Sequence, residues 1–336
     1  MSSDEISMQS HDGDDDLCFE AFRKEMQLKD EAKRLKAEEQ LRLKKMQRFS
    51  KRKQWRQQVK RTQQYLGLFI PTAGSMEVIS SGLENLTVTA RSTKENPGPS
   101  VPNDFSPFIF FISIDIEAFE FNQRLITEIG ISTLDTVDLL GLLPGVKGNN
   151  WAAKIRSRHF RILEHSHRLN KVHVEGCPDK FDFGHSEWIY ERDVISALKE
   201  CFNPSQSPFT TYSSKTRKVV LVAHDVAADM KYLTQLGFDV TQMVSDHIDT
   251  SDLYKAAHRD ARQSALSILL LCYGIAGKHL HNAGNDASYT LRVMIAIALD
   301  DFQNKKPAEE WEIEKHNRIK AACEEARAKV CTEFEG

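Results

Sequence analysis

The chain has 336 residues, 40% of them hydrophobic and 28% charged, with a formal net charge of −3. That length holds one large domain or two smaller ones, and its six cysteines, with no CxxC pair and no zinc spacing, exclude a disulfide framework or zinc module and fit thiols of a reducing compartment. No apolar run reaches the roughly 18 residues of a membrane span, and the acidic N-terminus lacks the hydrophobic region of a signal peptide, so a soluble, intracellular protein is expected.

Charge is strongly segregated along the chain. Asp4, Glu5, Asp12, Asp14, Asp15, Asp16 and Glu20 occupy the first 20 residues without a single cation, whereas residues 21–65 carry 16 Lys or Arg against 5 Asp or Glu. Residues 1–18 are expected as a disordered acidic tail and 19–66 as a basic helical arm, rich in good helix formers. Leu28, Leu35, Leu41 and Met46 recur along the arm without the strict repeat of a coiled coil. Its charge suits contact with a polyanion or, through Lys51-Arg52-Lys53 to Arg61, a nuclear address. Gly74, Gly82, Pro97, Gly98, Pro99 and Pro102 then mark a flexible linker over 67–107.

A globular domain is expected over 108–303. Phe108–Phe119 and Ile126–Leu134 read as two strands of a hairpin, residues 138–158 as irregular, and His159–Leu163 as a third short strand. Glu191–Phe202 has the period of an amphipathic helix, and Lys218–Ala223 is a continuous apolar strand of the buried, parallel type. A helix from Val226 to about Leu236, a short strand near Ile248, and helices at Ser264–Tyr273 and Asn285–Asp300 complete the pattern. Three early strands followed by βαβ units predict an α/β fold of RNase H-like order: a mixed five-stranded sheet, three strands antiparallel and the rest parallel, flanked by helices. Residues 308–333 read as one more charged helix.

Three acidic stretches interrupt this apolar framework. Asp115 and Glu117 stand two apart on a strand and so share a face, where they repel unless a cation lies between them. Asp229 falls in the inward stripe of its helix with Val226, Met230 and Leu233, where an unpaired charge costs several kcal/mol. Asp286 repeats that situation before the inward run Leu291, Met294 and Ala298. His281, five residues earlier, falls in the loop formed with the turn-forming stretch Asn282-Ala283-Gly284-Asn285, at a place suited to proton transfer near neutral pH. Each stretch alone is common. Together they describe a nuclease site in which Asp115, Glu117, Asp229 and Asp286 hold two Mg²⁺ or Mn²⁺ ions that clamp a phosphate, and His281 acts as general base.

The motifs resemble those of the DEDDh 3′→5′ exonucleases of the RNase H-like superfamily. The resemblance covers roughly residues 108–300. It rests on Ser113-Ile114-Asp115-Ile116-Glu117 with Ile126-Thr127-Glu128-Ile129-Gly130-Ile131, on Leu221 to Asp229, and on His281 to Ala287, with Ile248-Asp249-Thr250 between the second and third motifs. It implies the same four metal ligands and the same base. Two positions depart from the family pattern: Asp225, where Asn is usual, and Ala228, where an aromatic is usual, which bears on substrate grip more than on chemistry. The wording of the motifs is similar to a fungal Gfd-type branch that includes an Argonaute-interacting exonuclease. On that resemblance single-stranded RNA is favoured over DNA, a messenger-ribonucleoprotein or Argonaute-type protein is the implied partner, and nucleus or cytoplasm is the implied setting. The alternative is a catalytically weak nucleic-acid-binding adaptor in such a complex.

Overall fold

The computed structural model describes residues 12–68, 109–204, 217–259 and 262–304. Among them a sheet of order β4-β3-β2-β1-β5-β6 carries helices on both faces. β1 (Ile109–Phe119) and β2 (Asn122–Asp135) form an antiparallel hairpin, and β3 (Arg156–Ile162) continues the antiparallel run. β5 (Lys218–Ala223) lies parallel to β1, and β6 (Asp246–Asp249) parallel to β5. This is the RNase H-like α/β order, with one strand more than the five expected. The sixth, β4 (Ser186–Ile189), pairs parallel with β3 at the sheet edge. Four residues, Ser-Glu-Trp-Ile, are too short a run for alternation to reveal.

Side-chain alternation along β1 sorts two cores. Phe110, Ile112, Ile114 and Ile116 face α3 (Val194–Cys201) and α4 (Val226–Gln235), while Ile109 and Phe111 face α7 (Ala283–Gln303). By the same parity Asp115 and Glu117 emerge on the α7 face. Sixteen of the 21 residues of α7 are buried, so it is a central helix rather than an amphipathic one on the surface. The sheet covers one side of it, and α2 (Asn149–Ala152), α5 (Thr250–Ala257) and α6 (Leu266–Cys272) pack against the rest. α5 escaped the sequence reading because it follows β6 with no intervening turn residues. Asp249 caps it directly, accepting from the Ser251 N–H at 2.8 Å.

Helix α1 (Asp12–Tyr65) begins inside the stretch expected as the acidic tail. Along α1 the division between units falls between Gln54 and Trp55, so the arm expected to end at 66 hands its last turns to the globular unit. There Val59, Tyr65, Leu66 and Leu68 are buried, Arg56 pairs with Asp301, and Gln63 Nε2 donates to the Ala298 carbonyl at 3.2 Å. Charge composition hid this, because four apolar residues among Lys, Arg and Gln are enough to dock a helix end. Residues 1–11, most of the linker and the helix expected at 308–333 lie outside the described residues. No helix among the described residues is long and apolar enough to cross a membrane.

Candidate active site

The acidic residues singled out from the sequence meet where β1, α4 and the first turn of α7 come together. Glu117, His281 and Asp286 offer ligand atoms within 4.8 Å of one another, and His281 Nδ1 lies 3.9 Å from Glu117 Oε1. Asp115 feels the charges of Asp286, Asp229 and Glu117, and Asp229 in turn feels Glu117. Asp229 is 5% exposed, and the nearby Ile116 N–H, between the two strand carboxylates, partly offsets the rise in its proton affinity.

Crowded burial shows in the proton affinities. Desolvation first, then Asp286, Asp229, Glu117 and Glu128, hold the Asp115 carboxyl well above the ordinary range. Burial, with Glu128 and Asp286, pushes Glu117 up to about 8. Asp286 is pushed up to about 7 by burial, against the opposing His281 N–H bond. Asp229 is likewise raised well above its ordinary value, chiefly by desolvation. Asp286 Oδ2 accepts from the His281 N–H at 2.9 Å, but its Oδ1 is buried and has no partner among the described residues. Carboxylates that repel, hard oxygen donors and an orphaned buried oxygen together fit a divalent cation.

Local backbone explains how each group is presented. His281 adopts φ 62°, a left-handed conformation that costs a non-glycine residue roughly 1–2 kcal/mol, and its side chain is 55% exposed at the cleft mouth. Two side chains fix that turn from behind. Asn282 caps α7, accepting from the Asn285 N–H at 3.1 Å, and its Nδ2 donates to the Cys177 carbonyl at 3.1 Å. Asn285 Nδ2 donates to the Lys180 carbonyl at 2.8 Å and its Oδ1 accepts from the Asp182 N–H at 2.8 Å. At α4, Asp225 takes φ 70°, a region Asn and Asp tolerate best, and the Asp249 carboxylate accepts from the Val226 N–H at 3.1 Å.

Two residues of this neighbourhood were absent from the expected site. Glu128, 5% exposed, stands opposite Glu117 in the β1–β2 register, and the fully buried His159 donates to it from Nε2 at 2.9 Å. The signal was available: Glu128 interrupts an apolar strand just as Asp229 interrupts an apolar helix face. Trp55 and Tyr65, at the end of α1, are taken into the fold. Tyr65 Oη donates to Asp246 at 2.7 Å, and the Trp55 ring lies under Lys255.

The mixed sheet and its acidic cleft define an RNase H-like domain of the nuclease type. The chain belongs to the DEDDh family described as "DNA polymerase III subunit epsilon-like, C-terminal domain", which matches residues 110–297. Among its relatives, the nucleolar protein C2C4.08 of Schizosaccharomyces pombe is 31% identical, over 60% of this chain and 71% of its own length. Two Saccharomyces cerevisiae proteins also match. The uncharacterized protein YDR514C is 29% identical over 60% of this chain, and "Good for full DBP5 activity protein 2" is 30% identical over 56%. The match spans only 43% and 35% of the length of these two. Of solved structures, the RNase domain of the yeast Pop2 protein aligns over 60% of this chain and 80% of its own, at 11% identity and a TM-score of 0.29.

Proposed function

We propose that the chain is a metal-dependent 3′→5′ exonuclease acting on single-stranded nucleic acid, RNA in preference to DNA. The observation that carries this is the convergence of Asp115, Glu117, Asp229 and Asp286 with His281, including a buried Asp286 oxygen with no partner among the described residues. In this reading the four carboxylates hold two Mg²⁺ or Mn²⁺ ions. Such ions, when bound, neutralise the charge that develops on the phosphate. Asp115 and Glu117 would hold them from the strand, Asp229 from α4 and Asp286 from the first turn of α7. The exposed His281 imidazole removes the proton from attacking water and releases it to solvent.

The RNA preference rests on the likeness to the fungal branch. A nuclear setting is supported by the relative whose name describes it as nucleolar and by the run of cations near Lys51. The second reading is a weakly catalytic nucleic-acid-binding adaptor, which the exposed cations of α1 fit equally well.

The deciding experiment is degradation of a 5′-labelled single-stranded RNA by the full chain with Mg²⁺ or Mn²⁺, beside the Asp115→Ala/Glu117→Ala double variant. A metal-dependent ladder shortening from the 3′ end, absent in the variant, is the expected result. Retained RNA binding with no cleavage in either metal would replace it with the adaptor reading. A matched DNA strand degraded faster than the RNA would overturn the RNA preference alone.

A further inference from the structure

Beneath the acidic cleft lies a buried polar stack that the proposed chemistry does not use. Glu128 on β2, His159 on β3 and Ser186 on β4 join three adjacent strands. His159 Nε2 donates to Glu128 Oε2 at 2.9 Å, and its Nδ1 lies 2.9 Å from Ser186 Oγ. The imidazole is fully buried and Glu128 nearly so. Glu128 also adds its charge to the repulsion at Asp115, Glu117 and Asp286. As a device for stability alone this is a poor choice, because an apolar pair of the same shape avoids the cost of desolvating a carboxylate.

What an apolar pair cannot do is hold a backbone N–H. The same Glu128 Oε2 is 3.4 Å from the Ala283 N–H, the first residue of α7, which has no partner of its own within the helix. Two glycines let that first turn come so near the sheet. A Cβ at Gly130 would stand 1.8 Å from the Ala283 carbonyl oxygen, and one at Gly284 would stand 2.7 Å from His159 Cβ. The close approach therefore sets the helix end directly over the Glu128–His159 pair. Ala283 lies between His281 and Asp286, whose mutual hydrogen bond closes the same turn.

We propose that Glu128, held from below by His159 and Ser186, is a positioning residue. It anchors the first turn of α7, and so fixes where His281 and Asp286 stand relative to Glu117. The anchoring is a property of the fold, and its consequence for cleavage rests on the nuclease reading above.

The test compares the full-length wild type with Glu128→Ala, Glu128→Gln and the double variant Glu128→Leu/His159→Phe. Backbone hydrogen exchange is followed over residues 279–290 without metal. Glu128→Ala and the double variant should exchange about tenfold faster at Ala283 to Asp286, as expected for one lost hydrogen bond to a charged acceptor. Glu128→Gln keeps an acceptor oxygen without the charge and should exchange at a rate between the wild type and Glu128→Ala. The double variant leaves no buried polar side chain of the pair unpaired and should stay folded even if Glu128→Ala does not. A folded double variant with wild-type exchange over this segment overturns the proposal. On RNA, the double variant should lose about 10- to 100-fold in kcat with KM unchanged, the usual effect of removing a group that orients a metal ligand. A wild type that cleaves nothing would defeat the nuclease reading, and the exchange result would still decide the anchoring.

Discussion

At the scale of single residues the site is a set of groups that cannot satisfy one another. Glu117 and Asp286, pushed up to about 8 and about 7, bind protons more tightly in the folded protein than in the unfolded chain. A carboxyl raised in this way costs stability as the unfolded chain ionises and the folded one does not. The metal-free wild type should therefore lose stability as pH rises from the ordinary carboxylate range to about 8. Thermal unfolding in a chelator across that range should show a shallower loss for Glu117→Gln/Asp286→Asn, and equal slopes would refute the assignment. The His281 side chain is 55% exposed, so His281→Ala should leave the unfolding temperature unchanged. Its cost falls on turnover, about 10²- to 10⁴-fold for a lost general base, read in single-turnover cleavage of RNA.

At the scale of elements, α7 is the part on which the site depends, and its depth comes from small residues at its start. Gly130 admits the Ala283 carbonyl, and no relaxation of a side chain can make room there, because the colliding atom is backbone. Gly130→Ala should destabilise by about 3 kcal/mol or more, at or above the top of the usual range for overpacking, in urea unfolding monitored by circular dichroism. The end of α1 shows the opposite case, a charged helix made part of a core by a few apolar residues. Leu66 is 1% exposed in the cluster on the α7 side. Leu66→Ala should therefore cost about 2–5 kcal/mol. A cost under about 0.5 kcal/mol, normal for a surface site, would mean that this end of the helix does not dock.

At the scale of the whole molecule, charge and structure divide the chain in different places. Arg42, Lys44, Lys45, Arg48, Lys51, Arg52 and Lys53 are all exposed, and no acidic residue interrupts them. A flexible polyanion suits such a surface. Replacing four of these cations by Gln should make log affinity for single-stranded RNA fall less steeply with log salt, by about 0.7 for each phosphate no longer neutralised. Filter binding of the full chain between low and moderate salt measures it, and an unchanged slope would remove the arm from nucleic-acid binding.

Much of this protein was legible before any coordinates. Local rules settled the strands β1, β2 and β5 and the helices α4 and α7, and they picked out the five residues proposed for the site, because carboxylates in apolar periodic segments stand out in one dimension. The sequence also showed Glu128 interrupting its strand, yet nothing local said that it faces α7 and not the opposite core. That depends on the β1–β2 register, which pairs it with Glu117, and on the close passage of α7 at Gly130. The edge strand β4, the docked end of α1 and the stack under the cleft were likewise decided by tertiary structure. Each joins residues far apart in the chain, whose burial is set by the partner they meet and not by their own composition.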